Sequence, residues 1–514
     1  MKKKNYLTSA LLVGGLLAGS LTAGATVRTV KLNTSNPVGT EITLQVNRTY
    51  AGVTVDWGDG QVETYKAESG EVIQITGTVK GSFITISGNE AWDMLACPNC
   101  GVEIIDLTNA KDMRSLFLQN NNLMTVPLQV MTKLVDFDAS NNKLNKIEFT
   151  QSSYPEKDLL SIENFNVANN QLSGSFVIRA NTLRSLDVSN NEFTAVYTSS
   201  NPSLDYLDVS HNQLRTLSLA GNPQLSTLIC NDNALTNIIW PAGITTMQQL
   251  ICDNNSLSTT FNLANCNKLS DVSIANNKIS SIYLSGSSKT NSLNVSNNQL
   301  GLGALPLRAV RPTQLSFNPQ APVDISGYAN VKKKDGVPYM PVVEWAKRRE
   351  NGIDLTELRN IGVTSTSTGT TEGVVTWYAI ENGEEKELTP GRTSAAMNDY
   401  FAQGAKYNFF TPHAKVFARI VANSVYKDDN ISINTSVIAV GEDMTTGIGQ
   451  VVNENGTLQI ATSRGNLTLQ SERAISVTVR ALNGKTVWAG TVNGVETISL
   501  QSGVYIVNGQ KVVL

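Results

Sequence analysis

The sequence predicts a mainly β chain: a central solenoid of short leucine-patterned repeats flanked by small β-sandwich domains. Three observations lead there. One pattern, L-x-x-L-x-L-x-x-N-x-L, recurs at a nearly fixed spacing. The stretches between its copies alternate apolar and polar residues and show no 3.6-residue period. The segments on either side break into short alternating runs separated by Gly, Asn and Pro.

A clear copy is Met113-Arg-Ser-Leu116-Phe-Leu118-Gln-Asn-Asn121-Asn-Leu123. Others start at Leu134, Ile162, Leu183, Leu204, Leu225, Met247, Leu269 and Thr290, spaced by 21 or 22 residues except for one interval of 28 after Leu134. The extra residues fall in the polar stretch Gln151 to Lys157, which reads as a loop insertion. Degenerate copies at Trp92 and Pro312 flank the run, as expected of repeats that close an open core. In L-x-L two inward residues bracket one exposed residue, which is strand periodicity. The Asn amide can satisfy turn backbone groups of its own and neighbouring coils, so equivalent Asn residues should stack as a ladder. The second half of each unit repeats the pattern weakly, most plainly in Leu214-Arg-Thr-Leu217-Ser-Leu219-Ala-Gly-Asn222. Strands are therefore expected on both sides of each coil, with little helix.

These residues resemble the bacterial leucine-rich-repeat family that includes internalin-like and BspA-like surface proteins, over residues 92–322. The resemblance implies a protein-binding role, often toward host proteins.

The N-terminus has the parts of a secretory signal peptide: a basic start in Lys2-Lys3-Lys4, an apolar stretch from Leu7 to Ala23, and the small residues Ala23-Gly24-Ala25 at a cleavage site. Cleavage after Ala25 is the expected processing. An uncleaved anchor is the weaker alternative, because Gly14, Gly15 and Gly19 interrupt a short segment. No later stretch is long and apolar enough to span a membrane. The formal charge of −3 over 514 residues, without a basic stripe, argues against nucleic acid. The run Lys332-Lys333-Lys334 reads as a solvated loop.

The five cysteines fit the repeat register. Cys97, Cys230 and Cys252 take the inward position of L-x-L, and Cys100 and Cys266 take the Asn position. They are expected as buried core thiols. Cys230 and Cys252 fall on neighbouring parallel strands with side chains pointing the same way, which is read as poor disulfide geometry. Cys97-Pro-Asn-Cys100 is a lone pair and a weak zinc signal.

Residues 26–91 contain the strand Val53 to Trp57, a turn Asp56-Trp57-Gly58-Asp59-Gly60, and the strand Phe83 to Ile86. The turn is similar to that of PKD-like modules, and the segment is expected to cap the solenoid's N-terminal edge. Calcium binding by Asp56 and Asp59 is the alternative, though calcium takes about six oxygens. Residues 325–441 show short strands around Trp377 and resemble bacterial Ig-like modules, spacers in internalin-like proteins. A linker is expected over 442–456. Residues 457–514 should hold two hairpins, turned at Asn483-Gly484 and Asn508-Gly509. This end is similar to the C-terminal sorting domain of type IX secretion cargo, although it lacks the Tyr-Pro-Asn-Pro entry motif. The resemblance implies the type IX machinery as a partner and passage through the periplasm to the outer surface.

Chemistry has little material. The chain has two histidines, His211 and His413, in different predicted modules. No catalytic triad, metal motif or phosphate loop is assembled, and no enzyme activity or cofactor is expected. The exposed residue of L-x-L forms a column on the first sheet: Phe117, Asp138, Asn166, Asp187, Asp208, Ile229, Ile251, Ser273 and Asn294. Tyr206 lies two residues before Asp208. On the second side the column holds Tyr197, Ile239 and Tyr283. These aromatics, isoleucines and acids are the candidate binding residues. Two functions remain: adhesion to a host or matrix protein, or a structural surface or biofilm component that binds glycan.

Overall fold

Alternation on a three-residue scale builds the coils. The computed structural model describes residues 27–513 apart from 48–51, 67–71, 89–91, 129–130, 132, 149–160, 285–289, 307–310, 335, 362–369, 372, 397, 442–448, 454–455, 464–465, 482–483, 501–503 and 509. The signal-peptide segment, the insertion at Gln151 to Lys157 and most of the expected linker lie outside the described residues. The chain divides into two units, Met1–Leu257 and Ser258–Leu514.

In the first unit each copy of the motif contributes a short strand: Ser115–Phe117, Asp136–Asp138, Asn164–Asn166, Ser185–Asp187, Tyr206–Asp208, Thr227–Ile229 and Gln249–Ile251. They pair in parallel and without slippage, so Leu116, Phe137, Phe165, Leu186, Leu207, Leu228 and Leu250 form one inward row. The row is buried, and it is what each coil cannot hide alone. The second halves form their own short parallel pairs: Thr125–Pro127 with Lys146–Glu148, Ser173–Val177 with Glu192–Tyr197, and Thr216–Ser218 with Asn237–Ile239. In the second unit Asp271–Ser273, Ser292–Asn294 and Gln314–Ser316 continue the first pattern, and Phe261–Leu263 pairs with Ile282–Leu284. Among the described residues the helical pieces are short 3-10 turns such as Leu302–Ala304. Strands on both sides of the coil are therefore observed, as the periodicity predicts.

The asparagine ladder is present in detail. Asn142 Oδ1 accepts the Leu123 amide at 3.0 Å, and its Nδ2 donates to the carbonyls of Leu118, Ala139 and Ser140. Asn121, Asn170, Asn191, Asn212, Asn233 and Asn255 make the equivalent bonds. A second, shorter ladder runs on the opposite side of the coil, where Asn222 donates to the Thr198 and Asn201 carbonyls. One residue ahead of each ladder Asn, the chain takes left-handed dihedrals: Asn120, Asn141, Asn169, Asn190, His211, Asp232 and Asn254 have φ between 53° and 60°. Asn is the non-glycine residue most at ease there.

The N-terminal segment closes the first coil on both sides. Glu41–Asn47 pairs antiparallel with Met94–Ala96, extending the first sheet, and itself pairs with Val72–Thr78. Arg28–Thr34 pairs antiparallel with Val102–Asn109, the second half of the first coil. The 91/92 division is therefore crossed by two ladders of hydrogen bonds. The Trp57 ring is fully buried where Gly77 has no side chain. Asp56 Oδ1 accepts the amides of Gly58 and Gly60, and Asp59 accepts from Gln61 and pairs with Lys80 at 3.2 Å. Both carboxylates are thus used in the turn, which supports its structural reading over calcium binding.

In the second unit, Gln320 takes over the ladder position after Asn298: it accepts the Leu300 amide and donates to the Val295 and Phe317 carbonyls. The chain then enters a pair of sheets that face each other across Trp377, whose ring lies 4.9 Å from that of Phe409 and 5.8 Å from that of Tyr407. The larger sheet carries Val374–Glu381 beside His413–Val421, and the smaller carries Tyr400–Gln403 beside Lys406–Phe409. Lys332–Lys334 is an edge strand paired with Val337–Met340, which corrects the solvated-loop reading. Charged lysines on an edge discourage pairing with other chains, so the run suits that place. This module is fastened to the last coil. Arg311 forms a bidentate pair with Asp429 at 2.7 Å and lies over the Tyr426 ring, whose hydroxyl donates to the Pro306 carbonyl at 2.6 Å.

At the C-terminus the long strands Asn466–Ala481 and Thr486–Ser499 form the first expected hairpin, and Val504–Val507 with Gln510–Val513 form the second. Asn508 fixes the second by accepting from the Thr478 amide and donating to the Ser476 carbonyl. Part of the expected linker is a strand as well: Gly449–Asn453 pairs antiparallel with Gly456–Ser463. Leu458, Ile460, Leu467, Leu469, Val477 and Val507 share one buried core.

Candidate binding surface

The first-sheet column is not uniformly exposed. Phe117, Ile229 and Ile251 are half-buried, with their outer surfaces reaching solvent. Tyr206, also half-buried, lies in the adjoining row beside Thr227, next to the strand of Ile229 and four strands from that of Phe117. Parallel pairing sets Asp208 beside Ile229 and Ile229 beside Ile251. Asp187 is half-buried, but Asp138 and Asp208 are 6% and 1% exposed, which corrects their reading as solvent-facing acids. The cause is local. Asp138 Oδ1 accepts the Ser140 amide at 2.9 Å; Asp187 and Asp208 accept both the amide and the hydroxyl of Ser189 and Ser210. These carboxylates fold back on the turn two residues ahead. The spacing Asp-x-Ser carries that signal in the sequence.

Burial raises the Asp138 carboxyl above its ordinary value, and the charge of Asp187 adds to the rise. A raised carboxyl contributes stability that is fully present below the unfolded value, about 3.9, and is lost as pH rises through the folded one. Asp138→Asn keeps the acceptor oxygen and removes the charge. The variant is expected to be more stable than the parent by ~1 kcal/mol or less at pH 7, with the gap closing near pH 3. Urea titrations at the two pH values check this; a variant less stable at pH 7 would contradict it.

On the second side Tyr197 and Ile239 are 54% and 48% exposed, in equivalent places of neighbouring strands that flank Ser218. Tyr283 is half-buried and belongs to the second unit, within Ile282–Leu284. The half-buried Ser292–Asn294 strand ends and the buried Ser273 complete the first-sheet residues of that unit.

All five cysteines are buried. Cys100 stands at the head of the first ladder: Asn121 accepts its amide, its Sγ donates to the Thr43 carbonyl, and burial pushes its thiol up to about 12. His211 occupies a left-handed turn position 3.4 Å from Asp232, and His413 lies 3.5 Å from Asp399. Among the described residues no group of three His, Cys, Asp or Glu side chains is arranged to hold a metal ion. No helix among them is long and apolar enough to cross a membrane.

Short parallel strands in register, an internal Asn ladder and coils of 21 or 22 residues define a leucine-rich-repeat β-solenoid. No protein-family model matches the chain, and no curated protein matches its sequence. Solved structures with similar coils include YopM, a leucine-rich effector protein from Yersinia pestis, at 24% identity and a TM-score of 0.36, covering 45% of this chain and 60% of that one. The functional domain of InlJ from Listeria monocytogenes, which includes a cysteine ladder, is 14% identical with a TM-score of 0.30, covering 71% of this chain and 93% of that one. The internalin InlF from Listeria monocytogenes is 18% identical with a TM-score of 0.32, covering 46% and 84%. The chain thus spans about 60% of the length of YopM.

Proposed function

We propose that the chain is an exported, non-catalytic surface protein that binds a protein ligand, an adhesion target on host cells or matrix, through the first sheet of its solenoid. The observation that carries this reading is the set Phe117, Tyr206, Ile229 and Ile251. These are large side chains with exposed outer surfaces on strands held rigid from behind by the Asn ladder. Rigid aromatic and aliphatic groups on a fixed backbone lose little entropy when a partner covers them. Tyr197 and Ile239 offer a smaller patch on the other side, and the three acids leave the binding set for the turns.

Purified chain is to be tested against immobilised extracellular-matrix proteins and against purified bacterial surface polysaccharide. Saturable binding to a matrix protein is expected. Binding to polysaccharide alone would replace adhesion with a glycan-binding structural role.

Export rests on the two sequence ends. The paired C-terminal hairpins supply the compact β unit that a type IX sorting domain requires. Removing Gln501 to Leu514 takes away the strand pair Val504–Val507 and Gln510–Val513 and is expected to retain the protein in the cell envelope. Unchanged appearance in the culture medium or on the outer surface would refute the export reading.

A further inference from the structure

Cys230 and Cys252 occupy the same inward position of adjacent coils. The equivalent position of the preceding coils holds Leu118, Ala139, Val167, Val188 and Val209, all fully buried aliphatic groups. The two sulfurs face one another at 2.7 Å, closer than a van der Waals contact and within about 0.7 Å of the usual bonding distance of about 2.05 Å. The backbone at both sites is clamped: the Cys230 amide donates to the Ile251 carbonyl, and the Asn255 amide bridges the Cys230 and Cys252 carbonyls. Neighbouring strands run about 4.8 Å apart, within the Cα spacing a disulfide accepts. The two sulfurs are not bonded to each other in this structure, in keeping with the core thiols expected from the sequence, but they already lie side by side.

We propose that Cys230 and Cys252 form a disulfide that staples two adjacent coils, made by exchange with a disulfide-bearing oxidant while the chain folds. One thiolate attacks the oxidant's disulfide and releases the first oxidant thiol. The other thiolate then attacks the mixed disulfide, closing the Cys230–Cys252 bond and releasing the second. Two S–H bonds are lost from the chain, and both protons and both electrons end on the oxidant. Exchange precedes closure of the coil, since both sulfurs are fully buried afterwards and burial holds the Cys252 thiol in its protonated form. The staple lies one residue beyond Ile229 and Ile251, so it fixes the spacing of two of the candidate binding residues; the proposal itself does not depend on their role.

The full chain is to be refolded in oxidised and reduced glutathione, and separately in reductant alone, then denatured with an alkylating reagent and mapped by mass spectrometry. The expected product of the first is one linked peptide joining Cys230 and Cys252, with Cys97, Cys100 and Cys266 alkylated. Its melting temperature should exceed that of the reduced chain by roughly 5 °C. Cys230→Ala should abolish the difference between the two preparations; Cys266→Ala should leave it. Five alkylated cysteines after oxidative refolding, or a link to any other cysteine, would overturn the proposal.

Discussion

Asn191→Ala is expected to destabilise the solenoid by ~3–5 kcal/mol, while the change of its neighbour Asn190→Gly stays within about 0.5 kcal/mol. The two asparagines are adjacent in sequence and do unrelated things. Asn191 is buried; it accepts the Leu172 amide at 3.0 Å and donates to the carbonyls of Val167, Val188 and Ser189. Alanine leaves an interior amide and at least one interior carbonyl without a partner, and no water reaches them easily. Asn190 has φ of 53°, and its backbone is what the turn needs. Glycine takes that conformation freely, whereas Asn190→Val should cost ~1–2 kcal/mol. Denaturant titration of the four proteins gives the order; equal losses at 190 and 191 would contradict the ladder.

Phe165→Ala is the second large effect, at ~3–5 kcal/mol. Phe165 lies 5.1 Å from Phe137 on one side and 5.7 Å from Phe176 on the other, and Phe176 lies 5.4 Å from Phe193. This run of rings fills the core where the coil spacing lengthens to 28 residues, at Leu134 to Ile162. Truncation removes the middle of the run and leaves a cavity that the clamped strands cannot close. Phe165→Leu should recover more than half of the loss. A Phe165→Ala cost below ~1 kcal/mol would show that the core relaxes around the site.

The sequence made the coils legible because the leucine spacing and the strand period agree at every repeat. The inward course of the cysteines followed from the same register, and the C-terminal hairpins followed from Asn-Gly turns between alternating runs. Other features depend on meetings the linear pattern does not announce. Phe176 and Phe193 come from second-half strands, and only folding brings them beside Phe137 and Phe165. Lys332-Lys333-Lys334 has no apolar alternation, so its strand state depends wholly on Val337–Met340 pairing with it. The candidate surface was half legible. Ile229 and Ile251 point outward as the period requires, but the place of Asp138, Asp187 and Asp208 in the motif does not by itself reveal that the serine two residues on draws each carboxylate back onto the turn. The Asn-Asn pairs likewise carried two messages, a ladder and a left-handed turn, of which the pattern L-x-x-L-x-L-x-x-N-x-L marks one.

The central claim is that the first sheet of the solenoid is the ligand-binding face. Its most direct test is the affinity of the triple variant Tyr206→Ala, Ile229→Ala, Ile251→Ala for the matrix protein that binds the parent chain, with thermal melting as the control for folding. The account predicts at least a ~30-fold loss of affinity, about 2 kcal/mol, since clustered anchors carry most of an interface's energy. Tyr197→Ala with Ile239→Ala should bind as the parent does. An unchanged affinity in the triple variant, or a loss confined to the Tyr197 and Ile239 pair, would contradict it.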